Sequence, residues 1–245
     1  MSNPFAGAMY FFSGIKLLNQ PGIRRYVVIP LSINIVLFSV LLWFGAIYVS
    51  DFIDWIQASI PDWLDWIAWL VWPIFLVSAM LIGFFTFSLL ANIIAAPFNS
   101  LLSTAIEKHL TGTTVDAETT EAGFVASFIP EIVNEVKKFG YFILWSIPFL
   151  ILFAIPVVNV AAPGIWFIFS AWMLSLEYLD YPLSNRNLRF VDIKKRVRKQ
   201  RLAALGFGSI INIALMIPIV NFIVMPAAVA GATVYAVERL GDETN

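Results

Sequence analysis

Cysteine is absent from the 245-residue sequence, and histidine occurs once, at position 109. Without cysteine the chain forms no disulfides, no thiolate metal sites and no cysteine nucleophile. Zinc sites usually have three or four protein ligands, so we interpret His109 as an ordinary polar residue. There is also no Gly-x-x-x-x-Gly-Lys-Ser/Thr loop of the kind that cradles ATP phosphates. We therefore expect no metal, no cofactor and no ATP motor.

Charge is also scarce. Only 13% of the residues are charged and 60% are hydrophobic, with a mean hydropathy of +0.84. Soluble domains are about 25% charged and about 45–50% apolar. Asp, Glu, Lys and Arg are missing from four long stretches, which are 26–50, 66–106, 139–176 and 202–237. Because a membrane helix needs about 20 apolar residues, the composition indicates an all-α integral membrane protein.

The first two stretches predict two long transmembrane helices, over 22–50 and 66–110. Residues 51–65 between them contain four aspartates, no Lys or Arg, and two tryptophans. Tryptophan favours membrane interfaces, and basic residues favour the cytoplasmic side. We therefore expect this loop outside the cytoplasm and both termini inside, in a multi-pass protein of one membrane domain.

The third and fourth stretches resemble each other. Ile155-Pro156-Val157-Val158-Asn159 lies near the middle of one, and Ile217-Pro218-Ile219-Val220-Asn221 near the middle of the other. Each stretch is too long for one crossing and short for two, which predicts helical hairpins over 123–180 and 202–238. Interrupted helices at corresponding positions point to a transport pathway, so Asn159 and Asn221 are candidates for lining it. Two ordinary hairpins with tight polar turns fit the pattern equally well.

The N-terminal segment, 1–20, has apolar residues at helical spacing and predicts an amphipathic helix. These residues are Phe5, Ala8, Met9, Phe12, Ile15 and Leu18. Such a helix lies along the membrane surface or packs on the helical bundle.

A basic segment, Arg186–Arg201, carries eight Lys or Arg residues and one acid, Asp192. The positive-inside bias predicts that it is cytoplasmic. Beside so many membrane segments, it does not indicate nucleic-acid binding. It is either a topology determinant that also attracts anionic lipid headgroups, or a funnel that concentrates anions.

The junction Pro21-Gly22-Ile23-Arg24-Arg25 precedes the first span. Pro and Gly can end one helix, and the next helix would begin with unpaired N–H groups and a partial positive charge. Together with two guanidiniums, this arrangement predicts a site for a small oxyanion. On chemistry alone, the two arginines are better explained as juxtamembrane anchors, and only the family resemblance described next reverses this preference.

Several short motifs, in this order, resemble the CysZ family of bacterial sulfate permeases. The motifs are Gly22-Ile23-Arg24-Arg25 with Tyr26-Val27-Val28-Ile29-Pro30, Ala96-Pro97-Phe98-Asn99, Tyr178-Leu179-Asp180-Tyr181-Pro182, Val220-Asn221-Phe222, and Met225-Pro226 followed by 227–232. The resemblance implies sulfate binding by a Gly-Leu-Arg motif, here Gly22, Ile23, Arg24 and Arg25, with Ile in place of Leu. It also implies two hairpins that only partly cross the bilayer, homo-oligomers, and subunits in opposite orientations.

The expected function is sulfate uptake across the bacterial inner membrane for cysteine biosynthesis, by a channel or permease in contact with membrane lipid. Sulfite and related oxyanions are further candidate substrates. The alternative is a membrane scaffold that binds an oxyanion or lipid headgroup without conducting it. An enzyme is not expected, because the sequence contains no Ser/His/Asp or metal constellation.

Overall fold

The computed structural model describes the backbone of residues 3–59, 65–112 and 121–241. These residues form eight α-helices, one short 3₁₀ helix at Val158–Val160 and no strand. The α-helices are α1 (Pro4–Leu18), α2 (Arg25–Ser59), α3 (Asp65–Thr111), α4 (Glu121–Ala154), α5 (Ala162–Ser184), α6 (Phe190–Lys199), α7 (Arg201–Leu215) and α8 (Pro218–Arg239). The prediction of an all-helical protein is confirmed for this part of the chain.

The fold divides into two compact units. One comprises the described residues of Met1–Val27 and Ala96–Asn245, and the other is Val28–Ala95. The second unit contains most of α2 and the first part of α3, and its helices expose many large apolar side chains. Within the described ranges, one helical segment, Arg25–Gly45, is long and apolar enough to cross a membrane, with a mean hydropathy of 2.4. This segment agrees with a membrane protein, whereas the number of crossings stays a prediction.

Helix α2 extends nine residues beyond the predicted end of the first span at position 50. Aspartates at 51 and 54 lower the hydropathy, but they do not stop a helix, and no proline occurs between position 51 and Pro61. The predicted loop at 51–65 is therefore helical over 51–59, and 60–64 lie outside the described residues. Helix α3 ends where Gly112 adopts φ +72° and its N–H bonds the Lys108 carbonyl oxygen at 2.9 Å.

The first predicted hairpin consists of α4 and α5, which pack together through aromatic rings. The Phe149 and Phe169 ring centroids are 4.3 Å apart. The chain reverses between Ala154 and Ala162, where Pro156 has no N–H to continue the helix. Val157 is in the left-handed region at φ +72° and is 86% exposed, at the tip of the hairpin.

The second hairpin consists of α7 and α8, and it reverses earlier than the motif suggested. The turn is at Met216 and Ile217, and Pro218 is already the first residue of α8. Proline favours this position, because its missing N–H would have no partner there in any case. Asn221 therefore lies in the first turn of α8, with its N–H bonded to the Ile217 carbonyl oxygen at 3.0 Å.

Helix α1 crosses the base of the second hairpin at very short range. A Cβ at Gly7 would overlap the Ala203 carbonyl oxygen of α7, and one at Gly14 would overlap the backbone of α8 at Ala227 and Gly231. The face that packs on the hairpin also contains Tyr10 and Phe11, which are 8% and 3% exposed. The apolar stripe predicted from the sequence points the other way, since Phe5 is 80% and Met9 60% exposed.

A second connection, which we call the polar clasp, joins the end of α3 to the end of α5. The Asn185 amide donates to the Ser100 carbonyl oxygen and the Thr104 hydroxyl, both at 3.0 Å. Arg186 places Nε and Nη2 at 2.9 and 2.7 Å from the same oxygen, Oε1 of Glu107. The Glu107 side chain is only 6% exposed, so this ion pair is buried.

We predict that Gly14→Ala and Gly208→Ala each destabilise the protein by about 1–3 kcal/mol, because the added methyl overlaps backbone atoms of a neighbouring helix. The control is Gly164→Ala, where a Cβ would meet nothing within 4 Å. Thermal unfolding in detergent measures the difference. Equal melting temperatures for the three variants would contradict the close packing of these helices.

For the polar clasp we predict that Arg186→Met lowers the free energy of unfolding by about 3–5 kcal/mol, because the buried Glu107 carboxylate is left without its cation. The double variant Glu107→Gln/Arg186→Met should recover most of this loss. Arg189→Met is the control, since that arginine is 87% exposed in its pair with Asp192. A double variant no more stable than Arg186→Met alone would show that the ion pair is not the source of the effect.

Candidate functional site

The candidate site is the tight turn between α1 and α2. The N–H groups of Ile23 and Arg24 both donate to the Gln20 carbonyl oxygen, at 3.2 and 3.3 Å. Gly22 has φ +91°, a conformation that residues with a Cβ adopt only at a cost. Nothing lies within 4 Å of the position that a Cβ would take. Glycine is therefore required here by the backbone conformation and not by space.

The residues of the turn divide into one buried side chain and two exposed cations. Ile23 is 3% exposed and belongs to the hydrophobic core, whereas Arg24 and Arg25 are exposed. An apolar side chain at position 23 thus anchors the turn, and isoleucine fills this role as leucine would. Anchoring at Ile23 fixes where the two neighbouring arginines emerge.

The two guanidiniums have different surroundings. Arg25 donates from Nη2 to the Tyr26 hydroxyl at 2.9 Å, and its Cζ lies 4.8 Å from the Tyr26 ring centroid. Tyr26 is half-buried and packs against the core, so it holds Arg25 at the surface by a cation–π contact. Arg24 makes no side-chain hydrogen bond or ion pair with any residue described by the structure. Sequence reasoning missed the role of Tyr26, although an aromatic next to an arginine was a usable signal.

The backbone donors of the turn are fewer than predicted. The N–H of Tyr26 donates to the Ile23 carbonyl oxygen at 3.0 Å, and that of Val27 to the Arg24 carbonyl oxygen at 3.1 Å. The expectation that the first turn of this helix offers its N–H groups freely is wrong for these two residues. Among residues 22–27, all of which are described, only Gly22 and Arg25 have an N–H that donates to no backbone carbonyl oxygen. An anion here would rely mainly on the guanidiniums.

The two asparagines predicted for the pathway are exposed, and each belongs to one hairpin. Asn159 lies in the 3₁₀ helix at the tip of the first hairpin, and Asn221 lies one turn from the tip of the second. No hydrogen bond between described residues joins either asparagine to the turn at 22–25. In the same described ranges, no three His, Asp or Glu side chains are arranged to hold a metal ion.

The sequence was compared with protein families and with curated proteins. The family described as sulfate transporter CysZ/etoposide-induced protein 2.4 matches residues 10–226. The chain belongs to this family. The match to the CysZ/etoposide-induced protein 2.4 family includes the candidate turn, both hairpin tips and the polar clasp.

Three curated relatives show how far the similarity extends. The sulfate transporter CysZ of Pseudomonas fluorescens strain Pf-5 is 43% identical over 239 residues, which cover 97% of this chain and 96% of the relative. The protein of the same name from P. fluorescens strain Pf0-1 is 40% identical, with 97% and 95% covered. That from Pseudomonas aeruginosa strain PAO1 is 38% identical, with 97% and 96% covered. The resemblance to CysZ proteins is thereby confirmed over nearly the whole chain.

We predict that Gly22→Ala destabilises the protein by about 1–2 kcal/mol, because alanine is strained at φ +91°. Gly22→Asn should cost less, since asparagine tolerates the left-handed region better than other residues. Both variants are compared with the wild type by thermal unfolding in detergent. If alanine were tolerated as well as asparagine, the left-handed turn would be absent from the protein in solution.

Proposed function

We propose that this chain carries sulfate across the bacterial inner membrane by a channel or permease mechanism without an ATP motor. The observation that carries the proposal is similarity over 97% of the chain to proteins named sulfate transporter CysZ. The imported sulfate would supply cysteine biosynthesis. Homo-oligomers and a multi-pass arrangement in contact with lipid are part of the same proposal.

The proposed binding site comprises Gly22, Ile23, Arg24 and Arg25. Sulfate is fully deprotonated at neutral pH and accepts hydrogen bonds without donating any. Arginine has five N–H donors and no acceptor, so two adjacent guanidiniums match sulfate in charge and in hydrogen bonding. Arg24 has no side-chain partner among the described residues, and one donor of Arg25 is used by Tyr26. Gly22 and Ile23 contribute the backbone shape and the anchor that hold the cations in place.

The proposed route passes the hairpin tips. Val157 and Val160 at the first tip are 86% and 84% exposed, and Met216 at the second tip is 70% exposed, which suits tips that enter the bilayer. Asn159 and Asn221 are exposed amides close to these apolar residues. An amide N–H₂ donates two hydrogen bonds, so each asparagine can replace part of the hydration shell of a passing oxyanion.

We expect Arg24→Ala/Arg25→Ala to reduce sulfate uptake into proteoliposomes by at least about tenfold, because charge-assisted hydrogen bonds contribute about 1.5–3 kcal/mol each. Arg24→Lys/Arg25→Lys keeps the positive charges but loses the planar guanidiniums that bind an oxyanion with two hydrogen bonds each, so an intermediate uptake rate is expected. Lys108→Gln is the control, since Lys108 is an exposed cation near the end of α3. Uptake by the double alanine variant at the wild-type rate would disprove the site.

Binding and flux separate the proposal from a non-conducting scaffold. Sulfate binding is measured by calorimetry in detergent, and flux is measured with labelled sulfate in vesicles. Binding together with flux supports a transporter. Binding without flux would contradict transport and support a scaffold that holds an oxyanion.

A further inference from the structure

Helix α1 has an apolar stripe that no described part of the protein covers. The stripe consists of Phe5, Met9, Phe12 and Ile15, which are 80, 60, 43 and 40% exposed. The opposite face of α1 is fixed to α7 and α8 by backbone contacts at Gly7 and Gly14. The helix cannot turn its stripe inward without breaking these contacts, so the stripe is a permanent feature of the surface.

The beginning of α1 lies against the first turns of α7, next to a group of cations. A Cβ at Gly206 would overlap the Pro4 carbonyl oxygen, and one at Gly7 would overlap the Ala203 carbonyl oxygen. Arg201 is two residues before Ala203, and both Arg201 and Arg198 are exposed. Leu202, between them and the contact, is 46% exposed. The first turn of α7, which begins with Arg201, is therefore adjacent to the N-terminal end of α1.

Other cations of the basic segment are engaged within the protein. Arg189 and Lys195 each lie 3.6 Å from a carboxylate oxygen of Asp192. Lys194 lies 5.1 Å from the Tyr141 ring centroid, and Arg196 donates to the Leu240 carbonyl oxygen at 3.2 Å. By contrast, Arg198 and Arg201 have no side-chain partner among the residues that the structure describes. These two guanidiniums are therefore accessible to a ligand outside the chain.

We propose that this surface, made of the α1 stripe with Leu202, Arg198 and Arg201, binds the headgroups of anionic phospholipids. An amphipathic helix inserts its apolar side at the boundary of headgroups and acyl chains, and nearby cations attract anionic headgroups. The base of the second hairpin carries the cations, whereas its tip at Met216 and Ile217 is 70% and 48% exposed and apolar. A cationic base and an apolar tip are expected of a hairpin whose base lies at the level of the lipid headgroups.

The choice of a lipid over a protein partner follows from the same distribution of residues. An acidic soluble partner would neutralise the arginines but would leave the apolar side chains of the α1 stripe exposed to water. The boundary layer of an anionic bilayer satisfies both parts at once.

The absence of cysteine makes a direct test possible, because one introduced cysteine is labelled without background. Full-length protein with Met9→Cys carries a bimane label and is reconstituted in phosphatidylcholine containing phosphatidylglycerol. Quenching is measured with shallow doxyl groups placed on either lipid. Gln20→Cys, at an exposed polar residue outside the stripe, is the control position.

We expect the label at position 9 to be quenched more than that at position 20, and at least about twofold more by doxyl phosphatidylglycerol than by doxyl phosphatidylcholine. Arg198→Gln and Arg201→Gln should each lower this lipid preference, while Lys108→Gln should not. Equal quenching by the two lipids, or a preference that both arginine variants retain, would overturn the proposal. Quenching at position 9 no stronger than at position 20 would overturn it too and would point to a protein partner on the stripe. No sulfate is used, so this outcome is independent of transport.

Discussion

The close approach of α1 to α7 and α8 is the contact on which the larger unit depends. Gly7 and Gly14 of α1 lie against the backbones of α7 and α8, and Gly206 of α7 lies against the backbone of α1 at Pro4, so no side chains keep these helices apart. In a membrane, where apolar side chains gain little from leaving lipid, such close packing is a main source of helix association. The position of α1 then determines where the chain enters the turn that begins α2.

The turn itself combines three simple requirements. Gly22 permits a left-handed residue, Ile23 inserts into the core, and Tyr26 holds the guanidinium of Arg25. Each requirement is met by a single residue, and together they leave Arg24 exposed with no partner among the described residues. The cations are thus presented by the backbone geometry, with little help from free N–H groups of the helix.

The sequence was informative wherever local chemistry decides the structure. Uncharged stretches predicted the long helices, and the repeated Ile-Pro and Val-Asn elements marked the two hairpin turns near Pro156 and Pro218. Proline alone would not have marked them, because Pro30 and Pro182 lie inside continuous helices. Helix α2 runs nine residues past the predicted end of the first span, because hydropathy falls at Asp51 while the sequence still favours a helix. The orientation of α1 could not be derived, because a helix with apolar residues on several sides needs its partner to select the buried face.

The polar clasp could not be predicted from the sequence. Glu107 and Arg186 are 79 residues apart, and nothing in either local sequence indicates that they meet. Arg186 was counted with the basic segment, although it is mostly buried and paired. The contact between Tyr26 and Arg25 was easier to predict from the sequence, because the two residues are adjacent and a cation–π contact needs only proximity. Non-local pairs require the fold before they can be recognised.

The burial of Ile23 has a mechanical consequence for its neighbours. Rotation of the first turn of α2 about its axis would withdraw this side chain from the core, at a cost of about 1.5–3 kcal/mol. Ile23 therefore fixes the orientation of the turn that carries both arginines. A polar residue at position 23 would therefore shift the direction in which the arginine charges point, even with both arginines retained.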